Sequence, residues 1–376
     1  MSEENKTARG LNVIMLGHKS IPSRDGGIDV VVQHLSETLV EKGNSVTVIN
    51  RKRKRACKTE NNGVKICQAF TVNKRSLDAI IYSFFATLKA KRIAEKEKVD
   101  AIHFHAEGVC AFIGLLPKRK KRNYKVVVTV HGLDWKRAKW KGLGSKVIKS
   151  CEKKIVKYAD EIIVLNGSDE KYFKDAYGRE TTLIPNATDT PNFVPPSTVA
   201  EKYGLKKDGY VLCVARLVPE KGILYLANAF KKLQKENAVD KKLVIVGSYA
   251  HSDYSEKVET AVKGEKNIIM TGFLEGKELS ELYSNAYLFC LPSDVEGMSM
   301  SLLEARAYGN VCLVSDIPEN VSVIGDRDYT FRRGDTDDLA ERLKEIMAKN
   351  PSFEKIPAVL HAWNEIAERT VETYKS

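Results

Sequence analysis

Two runs of alternating strand and helix patterns, parted by a proline-rich segment, most limit what this 376-residue chain can fold into. In the first run, short β-branched segments at 13–16, 46–49, 64–69, 101–104, 126–130, 161–165 and 182–184 alternate with helical patterns at 29–42, 77–95, 145–157 and 168–177. Such alternation builds a parallel α/β sheet with helices on its faces, because parallel neighbours need a crossover connection. Residues 185–196, PNATDTPNFVPP, hold four prolines in twelve positions and end the helical periodicity. A second run follows, with strands at 211–214, 243–246, 268–271, 287–291, 311–314 and 329–331. Its helical patterns lie at 221–235, 255–263, 277–285, 299–308 and 336–349. The expectation is two Rossmann-like, doubly wound domains, 1–190 and 191–357, and an amphipathic helix over 358–374 in a segment, 358–376, that returns to the first domain. Open sheets of this type bind ligands beyond the carboxyl ends of their strands, which places the expected site in a cleft between the halves.

Charge separates the halves. Residues 1–190 carry 37 Lys and Arg against 21 Asp and Glu, whereas 191–376 carry 24 against 28. The basic residues cluster at 51–55 (RKRKR), 118–122 (KRKKR) and 135–146 (WKRAKWKGLGSK). Basic clusters suit nucleic acid or an anionic leaflet, the latter at ~1 kcal/mol per residue near the surface. Indole rings settle at headgroup depth, so Trp135 and Trp140, with Arg137 and Lys139, are expected on an acceptor or membrane side, and nucleic acid is not expected. No apolar run reaches the ~18 residues of a membrane span, and the polar start MSEENKTARG carries no secretory signal. The expected location is the cytoplasm, with peripheral contact at the inner face of the cell membrane. The seven cysteines show no CxxC spacing and read as packed, reduced thiols.

Four segments carry chemistry. GHKSIPSRDGG, 17–27, leads into the helix expected near Asp29, where Gly26 and Gly27 let the backbone approach a phosphate at the helix N-terminus. After Gly17 the next glycine is nine residues on, so the dinucleotide fingerprint GxGxxG is missing. His131 stands just past the strand 126–130 and so points towards the expected site. RLVPEKG, 216–222, sets Arg216 and Lys221 across a Pro219 turn, a guanidinium fork and an ammonium suited to one diphosphate. In DVEGMSMSLLEARAYG, 294–309, Glu296 and Glu304 lie eight residues apart across a helix start expected near Ser299. The N–H groups of Met298, Ser299 and Met300 would lack helical acceptors there and suit an anion. At ~1.5 Å per residue a continuous helix would separate the two carboxylates by about 12 Å, the span of a ribose, a diphosphate and a hexose. No metal-carboxylate site of the D-x-D kind is read in the chain, and no metal or other cofactor is expected.

The order of these segments, with TGFLEGKELSELYSNAYLFCLPS between them, resembles retaining glycosyltransferases of family 4, which have the GT-B fold. The resemblance runs from about 12 to 374 and is nearest to transferases of bacterial capsule, exopolysaccharide and cell-wall glycan assembly, rhamnosyltransferase-like members included. It implies a nucleoside-diphosphate sugar as donor substrate and a glycan or polyprenyl-diphosphate-linked acceptor. By position, Gly26 and Gly27 would approach the donor phosphate, Arg216 and Lys221 would hold the diphosphate, and Glu304 would take both ribose hydroxyls. Glu296 would bind hydroxyls of the transferred sugar with His131 near the reaction centre, and Phe273 and Leu274 would lie by the base. Gly297, Met298, Ser299 and Met300 would complete the donor pocket, although an aromatic and a glycine are more usual where Met298, Ser299 and Met300 stand. Two other readings share the pattern: a nucleotide-sugar 2-epimerase of similar two-domain fold, and a membrane- or nucleic-acid-binding protein with a decayed site.

Overall fold

The computed structural model describes residues 9–23, 26–52, 58–72, 77–136, 143–248, 253–349 and 352–376. The chain forms two compact units: one runs to Pro185 and is completed by Trp363–Ser376, and the other is Asn186–Ala362. Unit 1 is built on β1 (Asn12–Leu16), β2 (Ser45–Arg51), β3 (Glu60–Asn61), β4 (Val64–Ala69), β5 (Ala101–His105), β6 (Lys125–Val130), β7 (Glu161–Val164) and β8 (Thr182–Leu183). These form one sheet in the order β3-β4-β2-β1-β5-β6-β7-β8, and β3 pairs antiparallel with β4 while the other pairings are parallel. Helices α1 (Gly27–Glu41), α2 (Asp78–Lys96), α3 (Leu143–Tyr158) and α4 (Gly167–Tyr177) connect them, with a 3-10 segment at Gly108–Leu115. The inner strands read as unbroken apolar runs because helices cover both faces of a parallel sheet. Val13, Ile14, Met15 and Leu16 of β1 and Val126, Val127 and Val128 of β6 are all buried.

Unit 2 holds α5 (Thr198–Tyr203), β9 (Tyr210–Val214), α6 (Ile223–Lys235), β10 (Lys242–Val246), α7 (Asp253–Val262), β11 (Ile268–Gly272), α8 (Gly276–Asn285) and β12 (Leu288–Leu291). It ends with α9 (Met300–Ala307), β13 (Cys312–Ser315), α10 (Pro318–Val321), β14 (Tyr329–Phe331) and α11 (Thr336–Lys349). Its parallel sheet has the order β11-β10-β9-β12-β13-β14. Alternate residues of β9 serve opposite cores, as the two-residue period of a strand requires. Val211 and Cys213 pack with Phe230 of α6, while Tyr210 and Leu212 pack with Tyr283 of α8 and Leu302 of α9.

The proline-rich segment is anchored to unit 2. Val194 N donates to Ser284 Oγ, Asn192 N to Tyr308 Oη, and the Glu281 carboxylate accepts from Ser197 N at 2.6 Å and Ala200 N at 2.9 Å. After unit 2 the chain returns to unit 1 as α12 (Trp363–Lys375), five residues later than the amphipathic pattern suggests, because 352–362 adopts no regular structure. Trp363 stacks on His34 with ring centroids 5.0 Å apart, Lys42 Nζ pairs with Glu368 at 2.7 Å, and Tyr374 Oη reaches His103. Among the described residues no helix is long and apolar enough to cross a membrane.

Strand order places one switch point in each sheet. In unit 1 the chain leaves β1 towards β2 on one side and returns to β5 on the other; in unit 2 β9 and β12 are the corresponding pair. Loops that leave such a pair diverge and open a crevice at the strands' carboxyl ends.

Candidate functional site

In unit 2 the crevice lies between the loops that follow β9 and β12. Gly247, just past β10, lies so close to Ala215 that a Cβ there would stand 2.0 Å from the Ala215 carbonyl oxygen. Residues 216–218 then lead into a 3-10 turn at Pro219–Lys221, closed by Gly222 at φ +63°. Gly222 lies against the chain leaving β12, where a Cβ would stand 1.9 Å from the Pro292 carbonyl oxygen, and Asp294 N donates to Glu220 O at 2.9 Å. This approach brings Lys221 Nζ to 2.5 Å from Glu296 Oε1, with both side chains largely out of solvent at 15% and 7% exposure. Lys221 was expected with Arg216 on a diphosphate and Glu296 on a sugar; the structure joins Lys221 to Glu296, and leaves Arg216 half-buried at the end of β9. Tyr225 Oη donates to Asp294 Oδ2 at 3.1 Å, and burial pushes the Asp294 carboxyl up.

The helix starts within one residue of the expected Ser299. α9 begins at Met300, with Ser299 as its extended N-cap and no side-chain cap bond, so the first-turn donors are Met300, Ser301 and Leu302 rather than Met298, Ser299 and Met300. Glu296 and Gly297 stay in the loop, and the 12 Å spacing of a continuous helix does not apply. Met298 is turned to Asn186, whose backbone N–H meets its Sδ at 3.2 Å and whose side-chain amide donates to its carbonyl at 3.3 Å. Glu304, in the second turn of α9, accepts from Tyr283 Oη at 2.9 Å. Burial first, and then the Glu304 charge, raises the Tyr283 hydroxyl well above its ordinary pKa, so it stays a donor. Phe273, just past β11, is 44% exposed while Leu274 is buried.

At the switch point of unit 1 four histidines gather. His18 follows β1, His103 and His105 share one face of β5, and His131 follows β6. Gly17, at φ +122°, lies against His105, where a Cβ would stand 2.1 Å from the carbonyl oxygen. His105 Nδ1 is 3.0 Å from His131 Nε2; His103 binds Tyr374 Oη through Nδ1 and Thr129 Oγ1 through Nε2, both at 2.7 Å; and His18 Nε2 is 2.6 Å from Asn50 Oδ1. Burial lowers His18 to about 4 and His103 to about 3, and holds His105 well below its ordinary value. Gly26 caps α1, which starts at Gly27, two residues before the expected Asp29. Asp29 is buried and accepts from Lys19 N at 2.7 Å, tying the 17–27 loop to the helix.

These three rings are neutral in the fold and chargeable when unfolded, so they add stability above about pH 6.5 that is lost as pH falls towards their folded values. Glu107 and Asp29, both raised by burial, titrate in the opposite sense, so one histidine is best isolated by substitution. His103→Gln keeps polar atoms for Tyr374 and Thr129 and cannot titrate. Its stability gap to the parent is expected to narrow by about 2 kcal/mol between neutral pH and about pH 5 in chemical denaturation, and a constant gap would refute the buried-neutral state.

The packing bears on two further expectations. Trp135, expected on an acceptor or membrane side, is half-buried against the core of unit 1, 6.1 Å from Tyr172 and with Lys149 Nζ 4.7 Å from its ring. Arg137, Lys139, Trp140 and residues 53–55 lie outside the described residues. The chain does contain D-x-D stretches, at 326–328 and 335–337; Asp337 pairs with Lys232 at 2.7 Å, and Asp328 and Asp335 bind backbone. Asp328 accepts from Cys312 N and Gly325 N, while Asp335 accepts from Asp337 N and Asp338 N at the start of α11. Among the described residues no group of three or more His, Cys, Asp or Glu could hold a metal ion.

Comparison with known proteins gives this geometry its context. Residues 25–191 match the family model described as Glycosyltransferase Family 4, and residues 198–361 match Glycosyl transferases group 1. The chain is a GT-B glycosyltransferase, related to both families. Among the solved structures similar to this glycosyltransferase is sucrose-phosphate synthase from Thermosynechococcus elongatus, with a TM-score of 0.81 and 20% identity over 97% of this chain and 98% of that one. A UDP-Gal:alpha-D-GlcNAc-diphosphoundecaprenol alpha-1,3-galactosyltransferase of Escherichia coli is 29% identical over 64% of each chain, so the match spans less than two thirds of that relative. A GDP-mannose-dependent alpha-(1-6)-phosphatidylinositol monomannoside mannosyltransferase of Mycolicibacterium smegmatis is 24% identical over 79% of this chain and 78% of its own. Reading the glycosyltransferase from sequence missed His18, His103, His105 and Tyr283. The H-x-H spacing at the end of β5 was the available signal for two of them, since alternate strand residues share a face.

Proposed function

We propose that the crevice of unit 2 binds a nucleoside-diphosphate sugar and that the enzyme transfers the sugar, with retention, to a lipid-linked glycan acceptor in surface-polysaccharide or cell-wall assembly. One observation carries the reading: Lys221 and Glu296, from the loops of the two strands at the switch point, meet beside the N-terminus of α9. Donors at a helix start and a cation suit a diphosphate, and a carboxylate held by that cation suits sugar hydroxyls. Glu304 then takes the ribose hydroxyls, Arg216 shares the diphosphate, and Phe273 lies by the base. Gly297, Met298, Ser299 and Met300 line the sugar pocket. His131, Gly26 and Gly27, at the switch point of unit 1, keep the roles the resemblance implies. Glu296 is neutralised by Lys221, which argues against its acting as a free nucleophile and suits a front-side reaction in which the leaving phosphate takes the acceptor proton. The names of the Escherichia coli and Mycolicibacterium relatives give lipid acceptors, a diphosphoundecaprenol and a phosphatidylinositol, and so support a lipid-borne acceptor and a peripheral place at the membrane.

Thermal unfolding with UDP, GDP and dTDP sugars tests the donor half. The matching donor at ~100 times its Kd is expected to add about 2.7 kcal/mol of apparent stability. No stabilisation by any nucleotide would sink the reading. Solvent deuterium entering the sugar of a UDP-linked substrate would instead favour a 2-epimerase.

A further inference from the structure

We infer that the outer face of α2 and the groove beside it form a docking surface for an anionic lipid bilayer. The helix leaves large apolar side chains in water where a soluble domain hides them: Leu77 is 47% exposed, Ile80 40% and Phe85 40%, and neighbouring Phe70, just past β4, is 51% exposed. Leu77, Ile80, Phe84 and Leu88 recur at helical spacing, so they form one stripe along the axis. The rings make a continuous edge-to-face chain, Phe70 to Phe85 to Phe84 to Phe112, with each step 5.3 Å between centroids. Such packing presents the aromatic surface as a single patch rather than as scattered residues.

Charge decides the occupant. Beside that stripe, Phe85 leads along the helix into Lys89, Arg92 and Lys96, which with Phe70, Leu88 and a single carboxylate, Glu97, line a groove of about 350 Å³. Lys89 Nζ is held by the Gln68 carbonyl at 2.8 Å, while Arg92 and Lys96 stand exposed at the rim. The patch also borders Gly108–Leu115 through Phe112, and that segment leads to Leu115, 37% exposed, and to exposed Lys118, Lys120 and Lys121. Apolar side chains bordered by cations, in a half of the chain with 37 basic against 21 acidic residues, match the acyl region and phosphates of an anionic leaflet. Apart from the basic run at 118–122, these are not the residues that sequence alone put forward. The aromatic contribution to this face comes from phenylalanines, while Trp135 packs half-buried against the core of unit 1.

This surface deepens the reading of a lipid-borne acceptor, and it is tested without any transfer reaction. Flotation of the full chain is measured with vesicles of phosphatidylcholine alone and of phosphatidylcholine with phosphatidylglycerol. The parent is expected to float with the anionic vesicles only. Phe70→Ser with Phe85→Ser, and separately Arg92→Glu with Lys96→Glu, are each expected to lower the bound fraction about tenfold or more. All four side chains lie at the surface or the groove rim, and retained stabilisation by the donor nucleotide checks that each variant is folded. A parent that fails to float, or a phenylalanine variant that floats as the parent does, overturns the inference. So does self-association that the phenylalanine variant abolishes while the parent ignores vesicles, which would make the patch a contact between copies. Loss of nucleotide stabilisation in the parent, with vesicle binding intact, would refute the proposed function and leave the docking surface standing.

Discussion

Lys221→Ala is expected to lower kcat/KM by a factor of about 10²–10³ with the donor at a subsaturating level, the scale of one lost electrostatic contact to a developing charge. The same change should also destabilise unit 2, because Glu296 is left as a buried carboxylate without its ammonium. Removing one member of a buried ion pair costs about 3–5 kcal/mol, whereas replacing both by neutral groups is often nearly neutral. Lys221→Met with Glu296→Gln is therefore expected to recover most of the stability lost in Lys221→Ala and none of the activity. Calorimetry and initial rates on the three proteins separate the two roles. Restored transfer in the double variant would show that Lys221 serves the fold alone.

Glu304→Ala is expected to weaken binding of a nucleoside diphosphate by about 10²–10⁴, since two hydrogen bonds to a charged acceptor contribute about 1.5–3 kcal/mol each. Stability should change little, because the side chain is only half-buried and its hydrogen-bond donor, Tyr283, lies 3.3 Å from a second acceptor, the Ser301 carbonyl. Tyr283→Phe separates orientation from contact: Glu304 remains but loses the hydroxyl that fixes one oxygen, and the expected loss is about tenfold or less. Isothermal titration with the free nucleotide reads both effects. Equal losses in the two variants would mean that Glu304 supports Tyr283 and does not meet the ribose.

Much of the fold was legible because a parallel sheet covered by helices writes its strands as apolar runs, and VVVTV of β6 admits few other fates. Pairing was less legible. Lys221 and Glu296 are 75 residues apart, and they meet because Gly222 has no Cβ to hold the turn away from Pro292, a close approach that no local pattern announces. The start of α9 was legible to within one residue, since Ser299 is its N-cap, although it caps without a side-chain bond. The packing of Trp135 was not legible either. Basic neighbours in sequence suggested an interface, but one of the cations over its ring is Lys149, a helix away, and the ring is part of the packing. The histidine cluster joins β1, β5, β6 and α12, so its membership depends on strand order and on a contact 271 residues long.

That last contact bears on how the protein is made. Tyr374 lies in the last turn of α12, yet its hydroxyl satisfies Nδ1 of His103, a ring with no exposure to water. A ribosome adding about 5–20 residues per second must complete all of unit 2 before α12 emerges, and until then the nascent first unit holds a histidine unsealed and an open helix seat beside α1. The first unit to be synthesised is thus finished only after the second, and loss of the last turn of α12 falls on a switch point 271 residues before it.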